Sequence, residues 1–214
     1  MKTHTKKKVI LHLCADIGSD SRYFDLDPDF DVIKVGVDIG VENFKYDGEV
    51  HGVIANPVCT SFSFANQHRR NIDQSSGMWL VVECMRVIEE VKPKWWVIEN
   101  PANGALRDYL GKPSYTYQPW HYGSPWTKST ALWVGGDFKM PKPLYTKWED
   151  VPDKYTLNMW CRKGRKPALS WWHKSAAKLI PEFDWAVDLI ESDMALRSMC
   201  SQRFAKALYD ANKD

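Results

Sequence analysis

The chain has 214 residues, 44% of them hydrophobic and 26% charged, which excludes wholesale disorder and leaves room for one domain with a real core and at most a small appendage. A formal net charge of +2 does not call for a nucleic-acid partner by itself, so any such partner has to be held by local patches. No apolar run approaches the roughly 20 residues needed to span a bilayer, and "VILHL" behind "MKTHTKKK" is too short for a signal peptide, so no membrane association and a cytoplasmic location are expected.

In chain order, Val9 to Leu13 is a short apolar run that hands over to the turn-rich "CADIGSDS", as a buried parallel strand hands over to a loop and helix. "VIKVGVDIG", Val32 to Gly40, repeats the pattern and is expected to end on Asp38, and "HGVIANP" supplies a third strand just before Cys59. From Gly77 to Val91, Val81, Cys84 or Met85, Ile88 and Val91 recur at helical steps with Glu83, Arg86, Glu89 and Glu90 between them, which predicts an amphipathic helix. "WWVIENP" then reads as a strand over Trp95 to Ile98. Strands alternating with helical segments predict an α/β fold with a mixed, mainly parallel sheet.

Beyond Leu110 the alternating segments "SYTYQPW" and "STALWVGG" predict antiparallel strands closing one edge of the sheet. Residues 137–175, rich in Pro, Lys and Trp, predict loops around one short strand pair, and "PEFDWAVDLIES" and "SQRFAKALYDAN" predict two closing helices. The expected organisation is a catalytic core over 1–136, a small recognition region over 137–175, and C-terminal helices over 176–214 that complete the core.

In a doubly wound sheet ligands collect at the carboxyl ends of the strands. The polar residues expected there are the Cys14 to Ser19 loop, Asp38, Asn56 to Cys59, and Glu99 with Asn100. The five cysteines are odd in number and contain no CxxC pair, which argues against a disulfide framework and a thiolate zinc site, and no metal is expected. On residue type alone Cys59 reads best as a half-buried thiol under the sheet, and Glu99 could equally cap the helix in "NPANGALRDYL". A thiol and a carboxyl facing one pocket form the pair needed to attack an electron-poor ring while a nearby ring nitrogen takes a proton.

Taken together, "NPVCTSFS" resembles the Pro-Cys loop of the cytosine-C5 DNA methyltransferases, and "WWVIENP" their Glu-Asn-Val motif. "LHLCADIGS" and "VGVDIG" are similar to the first and second cofactor motifs, and "YLGKPSYTYQPWHYGSPWTKSTALWVGG" resembles the small members of that family found in bacteriophages. The chain differs in carrying Asp16 and Ser19 around Gly18, and Val58 where a second proline precedes the cysteine. The resemblance implies a Rossmann-like methyltransferase fold with a reduced target-recognition region and S-adenosylmethionine as cofactor. It implies that Cys59 adds to C6 of a cytosine flipped out of DNA, that Glu99 contacts N3 and the exocyclic amine, and that Lys128, Ser129 and Thr130 occupy the place of the arginines that hold the flipped base and its phosphate in larger members, a solvated strand-end lysine being the alternative for Lys128. Asp16, Ile17 and Gly18 would lie against the methionine part with Cys14, Asn56 and Pro57 beside them, and Asp38 would take the ribose hydroxyls. A phage-encoded member would work in the host cytoplasm.

Ser61 in the Cys loop, Arg69 and Arg70 in "NQHRRN", and Arg162, Lys163, Arg165 and Lys166 in "WCRKGRKP" are the candidates for contacts to nucleic acid, duplex or single-stranded. An ordinary solvated hairpin is the competing reading of that last stretch. Three further alternatives stay open: a different one-carbon donor or a modified base, a free nucleotide as substrate, and an inert DNA-binding decoy on the same scaffold.

Overall fold

A computed structural model describes residues 6–62, 74–152 and 164–214. Its centre is a six-stranded sheet formed by β1 (Lys8–Leu13), β2 (Phe30–Val35), β3 (Gly52–Ala55), β4 (Trp95–Pro101), β5 (Tyr115–Tyr117) and β6 (Thr130–Gly136), in the order β2-β1-β3-β4-β6-β5. The first four strands are parallel to one another, and β6 runs antiparallel to both β4 and β5. This is a mixed, mainly parallel sheet of the Rossmann-like α/β kind.

The strands are nearly continuous apolar runs because both faces of the sheet are covered. Side chains alternate between the faces. Leu11, Leu13, Val53, Ala55 and Ile98 pack on one side with Val81, Cys84, Val87 and Ile88 of α2 (Gln74–Val91). Ile10, Ile54, Trp95, Val97 and Leu132 pack on the other with Phe24 of the short α1 (Arg22–Asp25) and with Phe204 and Leu208 of α5 (Gln202–Asn212). A third cluster, including Trp126, Leu169, Trp172, Phe183, Leu196 and Met199, is built mostly from residues 169–199.

Several boundaries differ from the sequence reading. The second strand stops at Val35, leaving Asp38 in the turn beyond it. The fourth runs to Pro101 rather than Ile98, because β6 pairs with it as far as Pro101↔Thr130. Among the described residues of 137–175 there is no strand pair, only an isolated bridge between Thr127 and Ala168, two short 3₁₀ turns and the start of a third, Lys174–Leu179. Residues Pro181–Ala186 form a 3₁₀ turn instead of an α-helix; bonds such as Phe183 N–H to the Ile180 carbonyl, 2.8 Å, close it three residues back. An additional α4 (Asp193–Ser198) follows, its N-terminus capped by the Ser192 hydroxyl, which accepts from Ala195 N–H at 3.0 Å.

The feature that makes room for a site lies between β3 and β4. Their parallel pairing ends at Ala55↔Ile98, while β4 continues against β6 through Glu99 and Asn100. The β3 chain instead turns away at Asn56-Pro57, and the Asn100 amide donates to the Pro57 carbonyl at 2.9 Å to fix that turn. A notch is left at the carboxyl end of the sheet.

Candidate active site

The notch opens into a cavity of about 380 Å³. Its walls come from three loops, one strand and one helix: Cys14, Asp16 and Asp20 after β1, Asn56 to Thr60 after β3, Glu99 and Pro101 on β4, Lys128 before β6, and residues between Ser192 and Ser198 at α4. Cys59 starts a 3₁₀ turn, Cys59–Ser61, and contributes to the wall directly. The thiol and the carboxyl expected to share a pocket do so.

Glu99 sits among both attractive and repulsive partners. Its Oε1 lies 4.0 Å from Lys128 Nζ, and its Oε2 accepts from the Asn56 amide at 3.3 Å. Burial dominates and pushes the Glu99 carboxyl above the ordinary value of 4.5, against the pull of Lys128 and with the help of Asp20. Asp20, buried on the same cavity, is likewise raised by burial against Lys128.

Lys128 is held by two main-chain carbonyls, Ser198 at 2.9 Å and Met199 at 3.1 Å. Burial alone would depress its ammonium, yet Glu99 and Asp20 outweigh burial and hold it above the ordinary lysine value. The lysine is therefore a fixed cation between two carboxyls. Cys59 is pushed above the ordinary thiol value by burial first and by Glu99 second, with Lys128 opposing both, so at neutral pH the side chain is a thiol.

Two residues of the cavity region carry no motif signal. Asp20 follows the first-motif glycine, and His12 stands in the middle of β1 with no exposed surface. His12 bonds the Ser21 hydroxyl and the Asn56 side chain, each at 2.8 Å. A polar side chain inside an otherwise apolar strand must find partners, and that is the sequence signal that could have singled out His12. The α4 wall, with Met194, Ala195 and Arg197, carried no readable signal.

The remaining expected residues divide. Cys14 lines the cavity at φ 53°, with its sulfur 3.6 Å from that of Cys84. Asp16 lines it as well and accepts from the Ser198 hydroxyl. Pro57 is also a wall residue. Ile17 packs against the third core cluster, and Gly18, at φ +81°, approaches the Lys34 side chain so closely that a Cβ would meet it at 2.7 Å. Asp38 is exposed outside the cavity walls, and a Cβ on Gly36 would lie 2.9 Å from its Oδ1 and 3.2 Å from the Ala15 carbonyl. Glycine at 36 lets the Asp38 turn and the loop after β1 come together.

Thr130 is fully buried, and its hydroxyl donates to the Lys128 carbonyl at 3.1 Å rather than facing the cavity. Ser61 packs toward α2, where a Cβ on Gly77 would meet its Cβ at 2.5 Å. Arg165 and Lys166 are exposed, and Lys166 lies over the rings of Trp120 and Trp148, 5.2 and 5.3 Å from their centroids. Arg69, Arg70, Arg162 and Lys163 lie outside the described residues. Among the described residues no group of three or more His, Cys, Asp or Glu could hold a metal ion, and no helix is long and apolar enough to cross a membrane.

No family model and no curated protein matches the chain. Among solved structures it is similar to an E. coli prophage protein described as a "putative DNA modification methyltransferase", with a TM-score of 0.46 and 16% identity over 61% of this chain. The match covers 47% of that structure, so the chain spans under half its length.

Proposed function

We propose that the protein is a DNA cytosine-C5 methyltransferase in which Cys59 is the nucleophile and Glu99 the proton-handling group. The observation that carries this reading is the convergence of Cys59, Glu99 and the fixed Lys128 ammonium on one cavity of about 380 Å³. That volume is at the lower end of ordinary ligand cavities and suits a single base rather than a duplex, so the target cytosine would have to be turned out of the helix or offered in a single strand.

C5 of cytosine is a poor nucleophile until the conjugation of the ring is broken. The Cys59 sulfur would bond to C6 after giving its proton to solvent water, and the displaced electron pair would move through the ring as N3 takes a proton from Glu99. C5 then becomes electron-rich. After substitution there, loss of the C5 proton to water, departure of the sulfur as thiolate and return of the N3 proton to Glu99 restore the ring. Lys128 has a defined part in this sequence: its ammonium lowers the cost of the thiolate and of the Glu99 carboxylate, each of which is disfavoured by burial.

The cavity and its neighbourhood fit S-adenosylmethionine. Asp38 offers its side chain in the turn beyond β2, closed up against the loop after β1, and Val37 and Ile39 expose apolar side chains on either side of it. An adenosine with ribose hydroxyls to donate suits such a cradle, while Cys14 and Asp16 would hold the amino-acid part. When bound, the cofactor supplies an electrophilic methyl group.

The test is incubation of the purified protein with S-adenosylmethionine and, in parallel, unmodified duplex DNA, single-stranded DNA and dCMP, followed by mass spectrometry of the nucleosides. 5-Methylcytosine is expected with DNA and absent with Cys59→Ala. Product formed equally by Cys59→Ala removes the proposed nucleophile, and product from dCMP alone moves the substrate to free nucleotides.

A further inference from the structure

The bonds that lead away from Glu99 into the core form an ordered chain. Asn56 donates its amide NH₂ to Glu99 Oε2 at 3.3 Å, while its Oδ1 lies 2.8 Å from His12 Nε2. His12 Nδ1 in turn lies 2.8 Å from the Ser21 hydroxyl. An amide oxygen can only accept, so Nε2 must carry the imidazole hydrogen, and the bare Nδ1 accepts from Ser21. His12 is fully buried, and burial holds its pKa below the ordinary value against the pull of Asn56 and Asp16. With Asn56 so oriented, one neutral tautomer satisfies the chain; the Ser21 hydroxyl also lies 3.4 Å from the Gly18 carbonyl, and its one hydrogen goes to the nearer Nδ1. Turning the Asn56 amide over would set its NH₂ against the Nε2 hydrogen, and would set its oxygen against Glu99 Oε2 whenever that carboxyl is ionised, so the His12 end resists the change in either protonation state of Glu99.

We propose that Ser21, His12 and Asn56 are positioning residues that keep Glu99 Oε2 an acceptor, so that the carboxyl takes up and releases its proton at Oε1, on the Lys128 side of the cavity. None of the three has to touch substrate for this. A carboxyl free to protonate on either oxygen would spend part of its time with the hydrogen aimed into the protein. The relay removes that non-productive form.

The bonding itself does not depend on which base is modified, whereas its catalytic meaning rests on the function proposed above. The experiment has two readouts for that reason. The full chain is labelled with ¹³C at glutamate Cδ, the Glu99 signal is assigned by its loss in Glu99→Gln, and its titration is followed in the parent, His12→Gln and His12→Leu. Glutamine can donate to Asn56 and accept from Ser21, and so keeps both roles; leucine keeps neither. Asp16 and Lys34 act on His12, and Lys128, Asp20, Asp16 and Cys59 face Glu99, but all are common to the three proteins.

In His12→Leu the Asn56 amide is free to turn over, the carboxylate loses a donor, and Glu99 is expected to titrate at higher pH than in the parent. His12→Gln is expected to titrate with the parent. In the methylation assay His12→Leu should lose about tenfold or more in kcat with KM within about threefold, and His12→Gln should retain activity. An unchanged Glu99 titration in a folded His12→Leu overturns the relay, as does a His12→Gln protein that behaves like leucine. If His12→Leu does not fold, ¹⁵N shifts of His12 in the parent decide: hydrogen on Nε2 alone supports the relay, and hydrogen on Nδ1 or an imidazolium at neutral pH overturns it. If the parent itself methylates nothing, the functional reading fails while the titration still judges the relay.

Discussion

Cys59 begins as the wrong chemical species for its proposed task. Burial and the neighbouring Glu99 carboxylate both favour the thiol, and only Lys128 among its larger influences favours the thiolate. Reactivity toward a small alkylating agent should follow that balance, because the thiolate is the attacking form. Iodoacetamide labelling of Cys59, read by peptide mass so that Cys14 is counted separately, is expected to be slow at pH 7 and to climb only above the ordinary thiol value of 9.0. At fixed pH, Glu99→Gln should label faster by about severalfold and Lys128→Ala slower, since one unit of pKa is about a tenfold change in thiolate. A slower Glu99→Gln would show that the carboxylate does not repel the sulfur. The same pair of charges then has opposite uses: Glu99 keeps the nucleophile protonated at rest, and Lys128 makes its ionisation reachable when a base is seated.

At the level of elements, the site depends on where β3 lets go of β4. Upstream of that point the two strands approach so tightly that only glycine fits opposite Trp95: a Cβ on Gly52 would fall 2.3 Å from the Trp95 ring, which is fully buried. Gly52→Ala is expected to cost about 1–3 kcal/mol, the usual penalty for overpacking, or about 2–4 °C in melting temperature for each kcal/mol in a chain of this size. A urea or thermal melt checks it, and an unchanged midpoint would mean that the Trp95 ring yields freely. The parallel strands were legible because burial on both faces leaves unbroken apolar runs, and the antiparallel pair because residues 114–136 alternate. Glu99 was legible as a polar residue closing such a run, although its place inside β4 was not, since the extension depends on β6, distant in sequence. Residues 181–192 carry helical spacing at Phe183, Ala186 and Ile190, all buried, yet form a 3₁₀ turn at their start. Periodicity reported which side chains face inward and could not distinguish the hydrogen-bond pattern that turns them there. The α4 wall was silent for a related reason: its position over the cavity is set by the third core cluster, a tertiary property of residues far apart.

Across the molecule, the cavity concentrates ionisable groups that the fold would be more stable without. Asp20 and Glu99 both have pKa values raised by burial, so the folded chain holds protons there that the unfolded chain has released. Between the ordinary carboxyl values, 3.8 and 4.5, and the raised ones, the folded state binds more protons than the unfolded, and its stability falls as pH rises. His12 acts in the opposite sense. Its lowered pKa means that stability is lost as pH falls below the ordinary 6.5, where the unfolded chain takes up a proton that the buried imidazole refuses. Asp20 is the cleanest probe of the carboxyl contribution, because no direct bond ties it to Glu99 or to the His12 chain among the hydrogen bonds described. Asp20→Asn should therefore melt at a higher temperature than the parent once pH exceeds the raised value, where the parent buries a carboxylate. The difference should shrink as pH falls through the raised value toward 3.8, since the parent is then protonated as well. Thermal melts of both proteins from pH 4 to pH 8 measure this directly. A variant that is less stable than the parent above the raised value would mean that attraction to Lys128 exceeds the cost of burial, and Asp20 would then be a stabilising partner of that lysine instead of a charge kept for the site.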